Sequence, residues 1–274
     1  MLVLRGVADG EVSGVISNGP VTTALSLSKG DSGKWTLAAT NLYTGSTYIF
    51  GGTLLVNGLV GGAMVTNSGG VLGGTGTINA PVYVAAGATL APGASIGTLT
   101  INNALVLNGT TAMEVGKLGG MATNDSVRGL TSVTYGGTLN VTLTGALGGG
   151  EVFKLFEAGS YGGAFSAINL PALPSGIFWN TDYLNIDGTL RIDGSAPTPP
   201  QISRIALSGT AVVISGTGGA AGASYHVLTS TNVALPIVAW TPVATNTFGP
   251  GGVFSFTNAV SPNSLQRFYM LVVP

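Results

Sequence analysis

The sequence predicts an all-β chain, a parallel β-helix followed by a small antiparallel β-sandwich, and three observations carry that reading. The first is an internal repeat. Gly51-Gly52-Thr53-Leu54 restarts as Gly69-Gly70-Val71-Leu72 and again as Gly87-Ala88-Thr89-Leu90, each 18 residues after the last. A fixed interval means one small unit stacked on its neighbour, and a glycine corner followed by a Thr/Leu/Val run is turn chemistry followed by strand chemistry. The second is glycine content: 45 of 274 residues, against a usual share of about 7%. With no three-residue period, and with 45% apolar residues, the chain is neither collagen-like nor disordered, so the glycines read as corners between many short strands. The third is that a rung of roughly 18 to 25 residues cannot bury its apolar face alone and must stack.

Taken in order, residues 1 to about 50 read as earlier rungs. Gly14-Val15-Ile16-Ser17 and Ala24-Leu25-Ser26-Leu27 alternate apolar and small polar residues, as half-buried strands do. From about 103 to 193 the repeat loosens. Ala112-Met113-Glu114-Val115 and the run from Gly136 to Leu143 still predict strands, with Asn124-Asp125-Ser126-Val127 between them. Val152 to Phe156 predicts a more aromatic strand. Phe165, Ile168, Leu170, Phe178 and Trp179 suit a cap over the last rung, with Asp187 to Ile192 as its final strand.

Gly194-Ser195-Ala196-Pro197-Thr198-Pro199-Pro200 is dense in proline, so 194–200 predicts a semi-rigid linker between a repeat domain over 1–193 and a terminal module over 201–274. In that module, strands are predicted at 202–207, 211–215, 225–230, 240–243, 252–257 and 267–272, a spacing that suits a small sandwich.

Two stretches are similar to known families. Gly33-Lys34-Trp35-Thr36-Leu37, Asn41-Leu42-Tyr43-Thr44-Gly45 and Gly51-Gly52-Thr53-Leu54, continued by Leu90-Ala91-Pro92-Gly93-Ala94-Ser95-Ile96-Gly97-Thr98-Leu99, resemble the passenger-associated repeat of bacterial autotransporters. The resemblance covers about residues 1 to 195. It implies a right-handed parallel β-helix carried outside the cell or on its surface, and that hand agrees with the general bias of parallel crossovers. The tail resembles a fibronectin-like terminal module through Tyr225-His226-Val227-Leu228-Thr229-Ser230-Thr231-Asn232, Trp240-Thr241-Pro242-Val243 and Arg267-Phe268-Tyr269-Met270-Leu271. The membrane barrel that ends a true autotransporter has no counterpart here, so self-translocation is not expected. Met1 leads directly into Leu2-Val3-Leu4, with no signal-peptide pattern.

Charge bounds the partners. Lys and Arg number nine, Asp and Glu ten, together 7% of the chain, and the formal net charge is −1. Basic residues this sparse form no phosphate-binding stripe, so nucleic acid is not an expected partner. No run reaches about 18 apolar residues, so no membrane-spanning helix is expected. With no cysteine and His226 as the only histidine, no metal site and no cofactor are predicted. The histidine reads as structural, because no nucleophile-elbow motif accompanies it.

β-Helices can be enzymes, whose sites set carboxylates on adjoining rungs. No carboxylate falls between 51 and 101, and the tightest set, Asp182, Asp187 and Asp193, reads as turn-forming rather than as an acid/base pair or calcium site. No catalytic residue is therefore assigned. Glycine runs such as Gly73-Gly74-Thr75-Gly76 lack the lysine and helix of a phosphate loop. Trp35, Tyr43 and Tyr48 are considered as a carbohydrate-stacking face, with core or rung-end roles favoured. The expected function is a non-enzymatic extracellular structural rod. Nine or ten rungs give a length near 45 Å, and the rod self-associates head to tail through an unblunted first strand at Leu2-Val3-Leu4. The alternatives are an adhesin for surface glycans and, behind it, a polysaccharide-degrading enzyme.

Overall fold

A computed structural model describes residues 1–20, 23–194, 199–260 and 266–273. The chain divides into two compact units, Met1–Ser195 and Ala196–Pro274. Of the predicted linker, residues 195–198 lie outside the described set.

Three parallel sheets build the first unit. The first stacks Leu2–Leu4, Leu27–Lys29, Thr47–Ile49, Val65–Asn67, Val82–Val84, Leu105–Leu107, Val133–Tyr135 and Tyr161–Gly163 in that order. The second stacks Gly10–Val12, Lys34–Leu37, Thr53–Val56, Val71–Gly74, Thr89–Pro92, Thr110–Leu118, Thr138–Thr144 and Ala167–Asn169. The third holds Leu59–Val60, Thr77–Ile78, Thr98–Ile101, Ser126–Leu130 and Phe156–Ala158. From Thr53 onward the chain visits first, second and third sheet in a constant rotation. The stack is eight strands deep in the first sheet, so roughly 35 Å rather than the 45 Å expected.

Side-chain alternation explains why these runs are strands. In most strands of the first sheet the outer two residues of the triplet point inward and the middle one outward, which makes two buried columns, one of Leu27, Thr47, Val65, Val82 and Leu105 and one of Lys29, Ile49, Asn67, Val84 and Leu107. In the second, Leu54, Leu72 and Leu90 lie in direct register and are fully buried. That register is the 18-residue repeat of the sequence, carried into space. The period then stretches, since Val82 pairs with Leu105 and Leu105 with Val133. Thr111 continues the leucine column, and its buried hydroxyl has no hydrogen-bond partner.

Polar side chains seal the corners. Lys29 is fully buried, and its Nζ donates to the carbonyls of Gly30 (2.6 Å), Asp31 (2.9 Å) and Gly51 (3.0 Å). Burial pushes its ammonium below the ordinary value, with Asp31 opposing. Gly52, at φ 62°, allows this approach: a Cβ there would lie 2.5 Å from the Lys29 Nζ and 2.4 Å from two carbonyl oxygens. Two coils beyond Lys29, Asn67 bonds the Gly70 N–H and the carbonyls of Gly70 and Thr89.

One predicted strand is absent and another is shifted. Gly14 to Ser17 lies in no strand, and the run expected at 24–27 is displaced to Leu27–Lys29. Side chains replace strand partners there: the Ile16 N–H donates to Asn41 Oδ1 and the Leu25 N–H to Asn18 Oδ1.

At the far end, Val152–Lys154, Thr189–Gly194 and Ile177–Asn180 form an antiparallel sheet. A short helix, Leu184–Asp187, lies against Tyr161–Gly163 and Phe156–Ala158. An aromatic cluster lies here, Tyr135 with Phe156 on one side and Phe165 on the other; of the aromatic residues expected in the cap Phe165 joins it, Trp179 packs beside Phe153 and Phe178 is exposed.

The second unit has two three-stranded antiparallel sheets. One orders Gln201–Ser208, Ala211–Thr217 and Phe254–Ala259; the other orders Thr241–Thr247, Ser224–Ser230 and Phe268–Val272. Both contribute to one core of Val212, Ile214, Tyr225, Val227, Phe254 and Phe256, closed by Phe248 from the segment after Thr247.

Candidate functional site

Thr110–Leu118 outruns its sheet and pairs antiparallel with Met121–Asn124, a hairpin turned by Gly119 and Gly120 at φ 59° and 85°. Beside this hairpin, on the outer side of the second sheet, lies a cleft of about 340 Å³ whose polar lining is Ser95, Glu114, Asp125, Asn140 and Thr142.

Asp125 sits at its inner wall, almost fully buried. Its Oδ1 accepts the Gly97 N–H at 2.8 Å and its Oδ2 the Glu114 N–H at 2.7 Å. Burial pushes its carboxyl up to about 6 against the pull of those two bonds, and nearby Glu114 adds to the rise. A buried carboxyl with this shift in a cleft is the usual mark of a working acid. Here, however, each oxygen already anchors a different backbone segment, so the group staples the Gly93–Gly97 turn to the hairpin. That leaves Glu114 as the cleft's only carboxylate free of such a staple. The sequence contained the signal, an Asn-Asp-Ser turn between two strands, but not the burial that Asp125 shares only with Glu151 among the described acids.

The three aspartates near the cap do different jobs. Asp187 Oδ1 accepts from the Thr189 hydroxyl (2.6 Å) and N–H (3.1 Å), and its Oδ2 pairs with Arg191 Nη2 at 2.6 Å. Burial pushes this carboxyl up, but the Thr189 and Arg191 bonds outweigh it and hold it below the ordinary value. The Arg191 guanidinium lies 3.4 Å over the Tyr183 ring. Asp193 accepts from Asn180 Nδ2 at 2.6 Å, and the Asp182 N–H donates to Asn180 Oδ1 at 3.0 Å. Asn180 thus links Asp182 and Asp193, while Asp187 turns to Arg191. No group of three or more metal-ligating side chains occurs among the described residues.

His226 is half-buried in its strand, with Nδ1 2.9 Å from the Thr245 hydroxyl and no carboxylate among its hydrogen-bond partners. The aromatic trio considered from sequence separates. Trp35 pairs in register with inward-pointing Leu54 and packs so closely on Gly10 that a Cβ there would meet its ring at 2.9 Å. Tyr43 is buried, its hydroxyl 2.6 Å from that of Thr47. Tyr48 alone points outward, beside Phe50.

The stack's two ends differ. Among the described residues, Leu2–Leu4 pairs only with Leu27–Lys29. Its inner side is used, since the Leu2 N–H donates to Ser26 O and Leu4 O accepts from Gly30. By strand alternation the Val3 N–H and C=O face the other way, without a ladder partner.

No protein-family model matches the chain, and no curated protein matches it. No helix among the described residues is long and apolar enough to cross a membrane.

Proposed function

We propose that the chain is a non-enzymatic extracellular structural protein of the autotransporter-type repeat class. In this reading its first unit is a right-handed parallel β-helix and its second a fibronectin-like β-sandwich. The constant rotation through three parallel sheets supports the helix, and two three-stranded sheets around one core support the sandwich. The observation that carries the function is the asymmetry of the ends. The far end is covered by a helix and an antiparallel sheet, whereas the Leu2–Leu4 edge offers a free N–H and C=O at Val3, whose side chain is 46% exposed. Natural proteins blunt such edges with charge, proline or a cap, because an open edge recruits another strand. Such an edge takes its strand either from further coils ahead of Leu2 or from a second copy; because the far end is covered, two copies meet at their open edges across a two-fold axis rather than head to tail.

Val3→Pro tests this, because it deletes the outward N–H and leaves the bonds to Leu27–Lys29 intact. Light scattering and negative-stain images are expected to show paired particles for the wild type at high concentration and single particles for the variant. A wild type that stays monodisperse would sink the proposal.

A second reading, recognition of surface glycans, is favoured by the outward aromatic residues of the first sheet. Polysaccharide hydrolysis is supported less well, since it asks for two free carboxylates and the cleft offers one.

A further inference from the structure

On the first sheet's outer face, the middle residues of successive strands form a straight file. Tyr48, Thr66 and Tyr83 lie in direct register. With strands about 4.8 Å apart, the two tyrosine backbones stand roughly 10 Å from one another along the stack. Phe50, just past its strand, lies parallel to Tyr48 within 10° at a centroid separation of 6.1 Å, and 59% of its surface is exposed. Asn108 Nδ2 donates to the Tyr83 hydroxyl at 3.1 Å, fixing that ring's polar end. The register continues through Ser28, which is buried, on one side and Val106 on the other, with no charged residue from Val3 to Thr134.

Single exposed aromatics are ordinary. Three rings gathered on one rigid parallel sheet, separated by hydroxyl and amide groups, are a patterned surface. We infer that this face binds a neutral polysaccharide laid along the stack. Pyranose rings have an apolar C–H face and a polar rim. The apolar faces pack on the Tyr48/Phe50 pair and on Tyr83, and the rim hydroxyls meet Thr66, Ser68 and Asn108. The interval between the two ring sites is of the order of a disaccharide, so a repeating chain can satisfy both together. A polyanion would require lysine or arginine in the file, and there is none. A protein partner would require a continuous apolar patch, which Thr66 and Ser68 interrupt. The face begins two strands in from the Val3 edge, and its variants change side chains only, leaving the Val3 N–H and C=O in place.

The test is native affinity electrophoresis of the full chain in gels containing hydroxyethyl cellulose, xyloglucan, xylan or galactomannan, with alginate and heparin as the polyanionic arm. Retardation by at least one neutral polymer is expected. Tyr48→Ala, Phe50→Ala and Tyr83→Ala are each expected to weaken it roughly threefold to tenfold. Tyr83→Phe, which keeps the ring, retains binding. Because all three side chains are outward, melting curves of the variants should overlay the wild type, which separates lost binding from lost folding. The proposal is overturned by no retardation in any neutral polymer, by retardation in the polyanions alone, or by alanine variants that bind like the wild type.

Discussion

Asp125 shows how one side chain can be costly and structural together. Its raised carboxyl favours the protonated form in the folded chain, so its contribution to stability is complete below the unfolded value of 3.8 and disappears as pH climbs through about 6. Asp187 and Glu151 have the opposite sign. Burial pushes Glu151 up, but the Lys117 ammonium at 2.5 Å and the N–H groups of Gly148 and Gly149 hold it down. Stability from those two is present at neutral pH and lost only as pH falls below the ordinary carboxylate range. Between about pH 4.5 and 6, Asp125 is therefore the group that decides the slope. Melting temperature is expected to rise as pH is lowered from 7 to 5, with about 1.4 kcal/mol of stability gained within that window. Asp125→Asn should flatten that rise whatever it does to absolute stability. A wild type with no slope across this window contradicts the assignment. Lys29 is the basic counterpart: desolvated and fully buried, it answers three corner carbonyls that would otherwise have no donor.

At the scale of elements, the far cap rests on a compact polar lock rather than on helix length. Leu184–Asp187 is a single turn, too short to be stable alone. Gly188 ends it at φ 73°, and the Asp187 carbonyl then accepts from Lys154 Nζ and from the Tyr161 hydroxyl. Arg191 joins this turn to the last strand through Asp187, Thr189 Oγ1 (2.9 Å) and the Tyr183 ring. Lysine cannot reproduce that fork and stack. Arg191→Lys is expected to cost about 1 kcal/mol, a fall of roughly 2–4 °C in melting temperature, seen by calorimetry. An unchanged melt would mean that the guanidinium contributes nothing to the cap.

For the molecule as a whole, sparse charge and an open edge act together. With 19 charged residues and a formal net charge of −1, little long-range repulsion keeps copies apart. Pairing through backbone groups at Val3 is then expected to be insensitive to salt. Sedimentation at 50 mM and 1 M sodium chloride should give the same particle distribution, whereas dissociation at high salt would point to ion pairs at the contact. The same lack of charge leaves the outer face of the first sheet to hydroxyls and rings, which is why a neutral polymer is the ligand proposed for it.

The repeat at Gly51, Gly69 and Gly87 determined by itself that the chain is a stack of short parallel strands, and even their register, because alternation and glycine corners are local properties. The six strands of the tail were legible for the same reason. Non-local facts were not. Gly14 to Ser17 has strand-like alternation, yet Asn41, 25 residues away, takes the Ile16 N–H, and no neighbouring residue announces this. Trp35 and Tyr48 are both aromatic residues beside glycine-rich corners, and only their places in the register, Trp35 beside Leu54 and Tyr48 beside Thr66, send one ring inward and the other to the outer face. Folding decided which acid is buried, which end is covered and which rings line up, since each depends on coils that meet across the stack rather than along the chain.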